Sequence, residues 1–161
     1  LNFIGGTPFL LAARTGDAPL MRLLSELGAD PLLPNEDNTT PIMVAAGVGT
    51  AAPGEDPGTE SEVLEAVQVA LDLGGDVNGV DDKGETAMHG AAWKHLPGVV
   101  EFLAEVGADI KVWNQQNARE WTPLDIVGVH LDMNRQSSPV TAVAIRKAME
   151  EAGVAPPPAG N

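Results

Sequence analysis

At 161 residues and 43% hydrophobic content, the chain suits one compact domain or one short repeat array, and disorder of the whole chain is excluded. No apolar run approaches the length of about 18 residues that spans a bilayer. The absence of cysteine excludes disulfides, thiolate metal sites and covalent haem attachment, and leaves the compartment open.

The net charge of −14 is unevenly distributed. Thirteen acids and no intervening base lie between Arg22 and Lys83, while the rest of the chain has ten acids against nine bases. A field of that sign repels phosphate backbones and disfavours nucleic acid. It is compatible with a basic protein partner, but a soluble acidic surface is the plainer reading.

In chain order, Leu1–Gly6 has neither the charged start nor the apolar core of an export signal. This predicts a processed or excised chain, with any signal lying upstream. A soluble protein is expected, cytoplasmic, or periplasmic or secreted if such a signal exists. Thr7-Pro8 then reads as a helix start, because a threonine N-cap accepts from a first-turn amide and proline at the next position needs no amide partner. Two helices are predicted, about 8–14 and 19–27, with a break at Gly16-Asp17. Leu20, Leu23, Leu24 and Leu27 recur at a spacing of three and four that puts them on one face. Gly28 ends that helix, since glycine tolerates the left-handed C′ conformation.

The same start returns at Thr40-Pro41, Thr86-Ala87 and Thr122-Pro123, after intervals of 33, 46 and 36 residues. Small pairs follow three of the four starts, and the stops recur at Gly74 and Gly107. A self-similar unit of this size fixes the architecture before any local chemistry. The long second interval places thirteen extra residues at about 49–61. A fourth-unit insertion of about ten falls around His130–Ser138, with three more residues in the turn near Gln116–Glu120. Both insertions end in helix-start chemistry, Thr59-Glu60-Ser61-Glu62 and Ser138-Pro139. Each is expected to emerge on the edge opposite the turns. A last helix over about 140–152 carries Ala142, Ile145, Ala148, Met149 and Ala152 on an apolar stripe. Pro156-Pro157-Pro158 then favours an extended tail.

With Asp81-Asp82-Lys83-Gly84-Glu85-Thr86-Ala87-Met88-His89-Gly90-Ala91-Ala92 and the later Gly107-Ala108-Asp109, the chain resembles the ankyrin repeat family, whose signature includes T-P-L-H-x-A. The resemblance is to a bacterial-type array with enlarged repeats. It implies a mainly α solenoid of four helix-turn-helix units with β-turn or hairpin connections and long inter-helix insertions in units 2 and 4. The units fall at about 2–34, 35–80, 81–113 and 114–154, and a proline-rich tail covers 155–161. It gives Thr7, Pro8, Thr40, Pro41, Thr86, His89, Thr122, Pro123, Gly28, Gly74 and Gly107 structural roles, His89 as an imidazole bonded to Thr86 and nearby backbone.

Binding in this family is carried by variable turn positions and the inner-helix surface. Matched onto this sequence, these are Phe3, Ile4, Gly6, Arg14 and Thr15, then Glu36, Asp37, Thr39, Gly47 and Val48. The third unit offers Asp82, Lys83, Glu85, Trp93 and Lys94, and the fourth Gln115, Gln116 and Trp121. Trp93 and Trp121 stand out as candidate exposed anchors, while Trp113 is assigned to turn packing. Other clusters read as weaker candidates: His95 with Glu101 and Glu105, His130 with Asp132 and Asp125, and Glu55, Asp56 and Glu60 for a hard cation. None matches a catalytic or metal motif, so neither an enzyme nor a cofactor is predicted. The expected function is non-catalytic protein–protein interaction. The alternative is a structural or regulatory segment of a larger protein, packing its apolar N-terminal side (Phe3, Ile4, Phe9, Leu10 and Leu11) on domains of its own.

Overall fold

The computed structural model describes residues 2–51, 58–128 and 137–158. Among these residues the fold is all-helical, with no strand. The helices are α1 (Pro8–Arg14), α2 (Ala18–Glu26), α3 (Pro41–Ala46), α4 (Glu60–Asp72), α5 (Ala87–Lys94), α6 (Pro97–Glu105), α7 (Ile110–Trp113), α8 (Pro123–Gly128) and α9 (Pro139–Glu151). They form two rows. Helices α1, α3, α5 and α8 pack in succession as an inner row, and α2, α4, α6 and α9 as an outer row; each inner helix also packs on the outer helix that follows it.

The start signals act as their chemistry requires. Thr7 Oγ1 accepts from Leu10 N at 3.1 Å, Thr86 Oγ1 from His89 N at 3.4 Å and Thr122 Oγ1 from Asp125 N at 3.2 Å. Thr40 differs: its hydroxyl makes no such bond, and its N–H points instead to Met43 Sδ at 3.5 Å. Thr59 and Glu62 form a reciprocal box, with Glu62 Oε2 accepting from Thr59 N at 2.7 Å and Thr59 Oγ1 from Glu62 N at 3.3 Å. Gly28, Gly74 and Gly107 all have left-handed φ, of 90°, 95° and 98°.

The alanine pairs let the inner helices approach closely. Ala12, Ala13, Ala45, Ala46, Ala91 and Ala92 are all buried. Between the rows the core runs without a break through Phe9, Met21, Ile42, Val67, Met88, Leu103 and Ile145. Each such side chain stabilises the fold by about 2 kcal/mol relative to exposure.

The leucines of α2 show what spacing leaves undecided. Leu20, Leu23 and Leu27 do share a face, but it is the open one, 39%, 49% and 75% exposed; α2 packs inward through Ala18, Met21 and part of Leu24. Spacing identifies a common face and does not say what covers it. In α9 the inward stripe is Thr141, Ala144, Ile145, Ala148 and Met149, with Ala142 half-buried and Ala152 exposed. Phe9 and Leu10 are fully buried, so at the N-terminal end the open apolar residues are Phe3, Ile4 and Leu11 together with the α2 leucines.

The extra length before the fourth turn also sits elsewhere than expected. The turn at Asn117–Trp121 matches the earlier ones in length, and the added residues form the helical turn α7. Asp109 caps it by accepting from Lys111 N at 2.9 Å, and Trp113, 3% exposed, plugs it into the core. Residues 52–57 and 129–136, which hold six of the thirteen residues at 49–61 and most of the fourth-unit insertion, with Glu55, Asp56, His130 and Asp132, lie outside the described residues.

Candidate functional site

Three turns built on one plan carry the inner helices. In Asn35–Thr39, Asp81–Glu85 and Asn117–Trp121, the first N–H donates to the fifth carbonyl at 3.1, 3.0 and 3.0 Å. The first side chain closes the turn from inside. Asn35 Oδ1 accepts from Asp37 N and Thr39 N, Asp81 Oδ1 from Lys83 N and Glu85 N, and Asn117 Oδ1 from Arg119 N and Trp121 N. The fourth residue of each, Asn38, Gly84 or Glu120, has left-handed φ of 59°, 73° or 63°. Asn2 opens a related turn, accepting from Ile4 N at 3.1 Å.

The turns stack into a continuous ladder. Glu36 N donates to Ile4 O at 3.0 Å, Asp82 N to Asp37 O at 3.0 Å and Ala118 N to Lys83 O at 2.7 Å. Side chains add cross-links, Asn35 Nδ2 to Asn2 O at 2.8 Å, Thr39 Oγ1 to Asp81 Oδ2 at 3.0 Å and Asn117 Nδ2 to Glu85 Oε1 at 3.0 Å. The closing residues Asn2, Asn35, Asp81 and Asn117 each lie five positions before a start threonine. That regularity was available in the sequence and marks the residues that motif reasoning missed.

Between these turns and the inner helices lies a groove of about 330 Å³. Its lining includes Asp37, Lys83, Glu85 and Arg119 from the turns, Gly90 and Trp93 from α5, and the segment Gly47–Ala51 that leaves α3. The described start of the second-unit insertion thus lies along the groove rather than away from the turns. It runs hard against α5: a Cβ on Gly90 would stand 2.6 Å from Val48 N. The indole N–H of Trp93 ties the segment down by donating to Thr50 O at 2.9 Å.

The groove's charges are mostly spoken for. Lys83 Nζ bridges to Asp37, and Asn2 Nδ2 donates to Asp37 at 3.0 Å. These donors hold the Asp37 carboxyl below its usual range, while the bond to Asp37 raises the Lys83 ammonium. Glu85 is pushed up, first by burial and then by the neighbouring Asp81 charge. Trp93 and Trp121 are both half-buried and stack on one another, centroids 6.4 Å apart and planes at 22°. The Arg119 guanidinium lies 5.1 Å over Trp93 and 5.6 Å over Trp121.

Of the residues singled out from sequence, Asp37, Lys83, Glu85 and Trp93 come together here, with Trp121 against Trp93. Glu36 and Asp82 are exposed at the turn tips, and Asp82 accepts from Asn38 Nδ2 at 2.8 Å. Phe3, Ile4 and Arg14 form a separate group at the first turn, with Arg14 5.4 Å over the Phe3 ring. Lys94 is buried at 8% exposure, and its stem crosses Gly47 instead of reaching the groove. His89 is fully buried, Nδ1 2.9 Å from Thr86 Oγ1 and Nε2 3.1 Å from Gln115 O. Asp125 accepts from Thr122 N and Oγ1, and Glu60 from Gly98 N, so both serve as helix-end partners.

Paired helices in two rows, joined by stacked turns that border a groove, define a helical repeat solenoid. No family model matches the chain. A stretch of 50 residues, 31% of the chain, is 42% identical to a fowlpox virus (strain NVSL) protein described as an ankyrin repeat protein, and it covers 12% of that protein's length. With the all-helical repeat fold, this match supports the resemblance to ankyrin repeat proteins. Ankyrin arrays are in general protein-interaction modules and typically have no enzymatic activity. Among the described residues no helix is long and apolar enough to cross a membrane.

Proposed function

We propose that this chain is a non-catalytic binding module that receives a segment of a protein partner in the groove over the stacked turns. Four repeat units, at about 2–34, 35–80, 81–113 and 114–154, supply one turn each to that surface. The observation that carries the reading is the ladder itself. Backbone bonds and buried Asn and Asp side chains fix the turns against one another, so the groove is held in shape before a partner arrives and little ordering cost falls on binding. Glu36 and Asp82 project from the tips of an acidic stretch, which favours a basic partner segment at that end.

Affinity capture with the two-residue variant Glu36→Lys, Asp82→Lys tests this. Retention of a captured partner is expected to fall at least about tenfold, whereas Glu105→Lys on the outer row leaves it unchanged. Binding to the unaltered chain should also weaken steeply as salt rises from about 0.05 to 0.5 M. Salt-insensitive capture that tolerates the tip reversals would contradict the reading. A second reading rests on exposed Phe3, Ile4, Leu11 and the α2 leucines: the chain is a structural or regulatory segment that packs this end on other domains of a larger protein. A longer parent protein that buries Phe3 and Ile4 would favour it.

A further inference from the structure

We infer that Arg119, laid over Trp93 and Trp121 at the fourth-turn end of the groove, is the docking point for an Asp or Glu side chain of the bound segment. This rests on the groove reading above and adds the chemistry of one contact. The guanidinium is exposed and makes no hydrogen bond or ion pair among the described residues, although it lines the groove. Several other cations of the described surface are engaged: Arg22 with Glu65, Lys83 with Asp37, Lys147 with Glu101, and Arg146 with the Pro157 carbonyl. Exposed Lys111, which like Arg119 has no such partner among the described residues, is not part of the groove lining.

Stacking uses the faces of a guanidinium and leaves its edge, with N–H donors in a planar fork, free for a bidentate acceptor. A carboxylate has the matching geometry. The platform is anchored on both sides. Trp93 donates to Thr50 O at 2.9 Å, and the Arg119 backbone N–H is held by Asn117 Oδ1 at 2.9 Å. The nearby resident carboxylates have other work. Asp37 takes Lys83 and Asn2, Asp81 takes Thr39 Oγ1 and two turn amides, and Glu85, close enough to feel the Arg119 charge, accepts its hydrogen bond from Asn117 instead. The acceptor that completes Arg119 therefore comes from the ligand. Acid tips at one end and a stacked arginine at the other give the groove a polarity, so a bound segment sets its basic residues towards Glu36 and Asp82 and its carboxylate on Arg119.

Random peptides displayed on phage and selected against the full chain test this. Selected peptides should share an acidic residue at one interior position. In the synthetic peptide, changing that residue to its amide should lower affinity for the unaltered chain about ten- to a hundredfold, and should cost nothing further against Arg119→Gln. Arg119→Lys, which keeps the charge without the planar fork, should recover only part of the effect. Near-ultraviolet circular dichroism reports whether the tryptophan pair survives each exposed substitution. An acid-to-amide change equally costly with and without Arg119 would overturn the proposal. So would affinity carried by the peptide's C-terminal carboxylate, seen as loss on C-terminal amidation. Binders that share no acid yet fail against Glu36→Lys, Asp82→Lys would overturn it while leaving the groove reading intact. A selection that yields no binder removes both.

Discussion

Glu85 and His89 lie four residues apart, and burial works against the charged form of each. At His89 the Nε2 faces the Gln115 carbonyl, so it carries the proton, and Nδ1 accepts from Thr86. Desolvation holds this neutral imidazole's pKa below its ordinary value of 6.5. The unfolded chain takes up the proton more readily, so stability from this site falls as pH drops below that value. Glu85 has the reverse sign. Its folded value is raised above 4.5, so its contribution is fully present below pH 4.5 and is lost as pH rises through the elevated value. Glu85→Gln retains an acceptor for Asn117 and removes the charge. Its melting temperature relative to the unaltered chain is expected to climb between pH 4.5 and 7; thermal unfolding at the two pH values checks this, and a constant difference would contradict it. The sequence identified His89 through its place after Thr86. Neither the burial of Glu85 nor the placement of Arg119 on Trp93, 26 positions away, follows from a local pattern. Those contacts exist only once the fourth turn stacks beside the third.

Among the elements, the junction of α3 with α5 carries the most demanding geometry. Gly47 ends α3 with φ of 123°, and a Cβ there would meet Gly90 O at 2.7 Å; Gly90 in turn leaves room for Val48 N. Each glycine admits the other's backbone, and the interlock sets the path of Gly47–Ala51 along the groove. Gly90→Ala is expected to destabilise by about 1–3 kcal/mol, since the atoms it meets are backbone and must shift together. Gly128→Ala meets nothing within 4 Å among the described residues at the exposed end of α8 and should be neutral or stabilising by up to about 1 kcal/mol. Denaturant unfolding separates the two, and equal midpoints would refute the interlock. In the sequence Gly90 occupies the x of T-P-L-H-x-A, a position the motif leaves free. The start of the insertion is what constrains it, through a contact between residues 42 positions apart. The α2 leucines illustrate the complementary limit, because helical spacing says which side chains share a face and neighbours decide whether that face is covered.

At the scale of the molecule, the two helical rows hold the turns in register, and the ladder converts four separate turns into one surface. The threonine starts made that repeat legible, and their unequal intervals pointed to extra residues. Assigning some of them to α7 required the buried Trp113. The central claim is that this surface, rather than the outer row or the open N-terminal end, receives the partner. Backbone amide chemical shifts of the isotopically labelled chain, titrated with a display-selected peptide, test it most directly. Perturbations are expected to concentrate at Asp37, Lys83, Thr50, Trp93 and Arg119. Perturbations centred on Leu20, Leu23 and Leu27, or on the exposed faces of α4, α6 and α9, would contradict it.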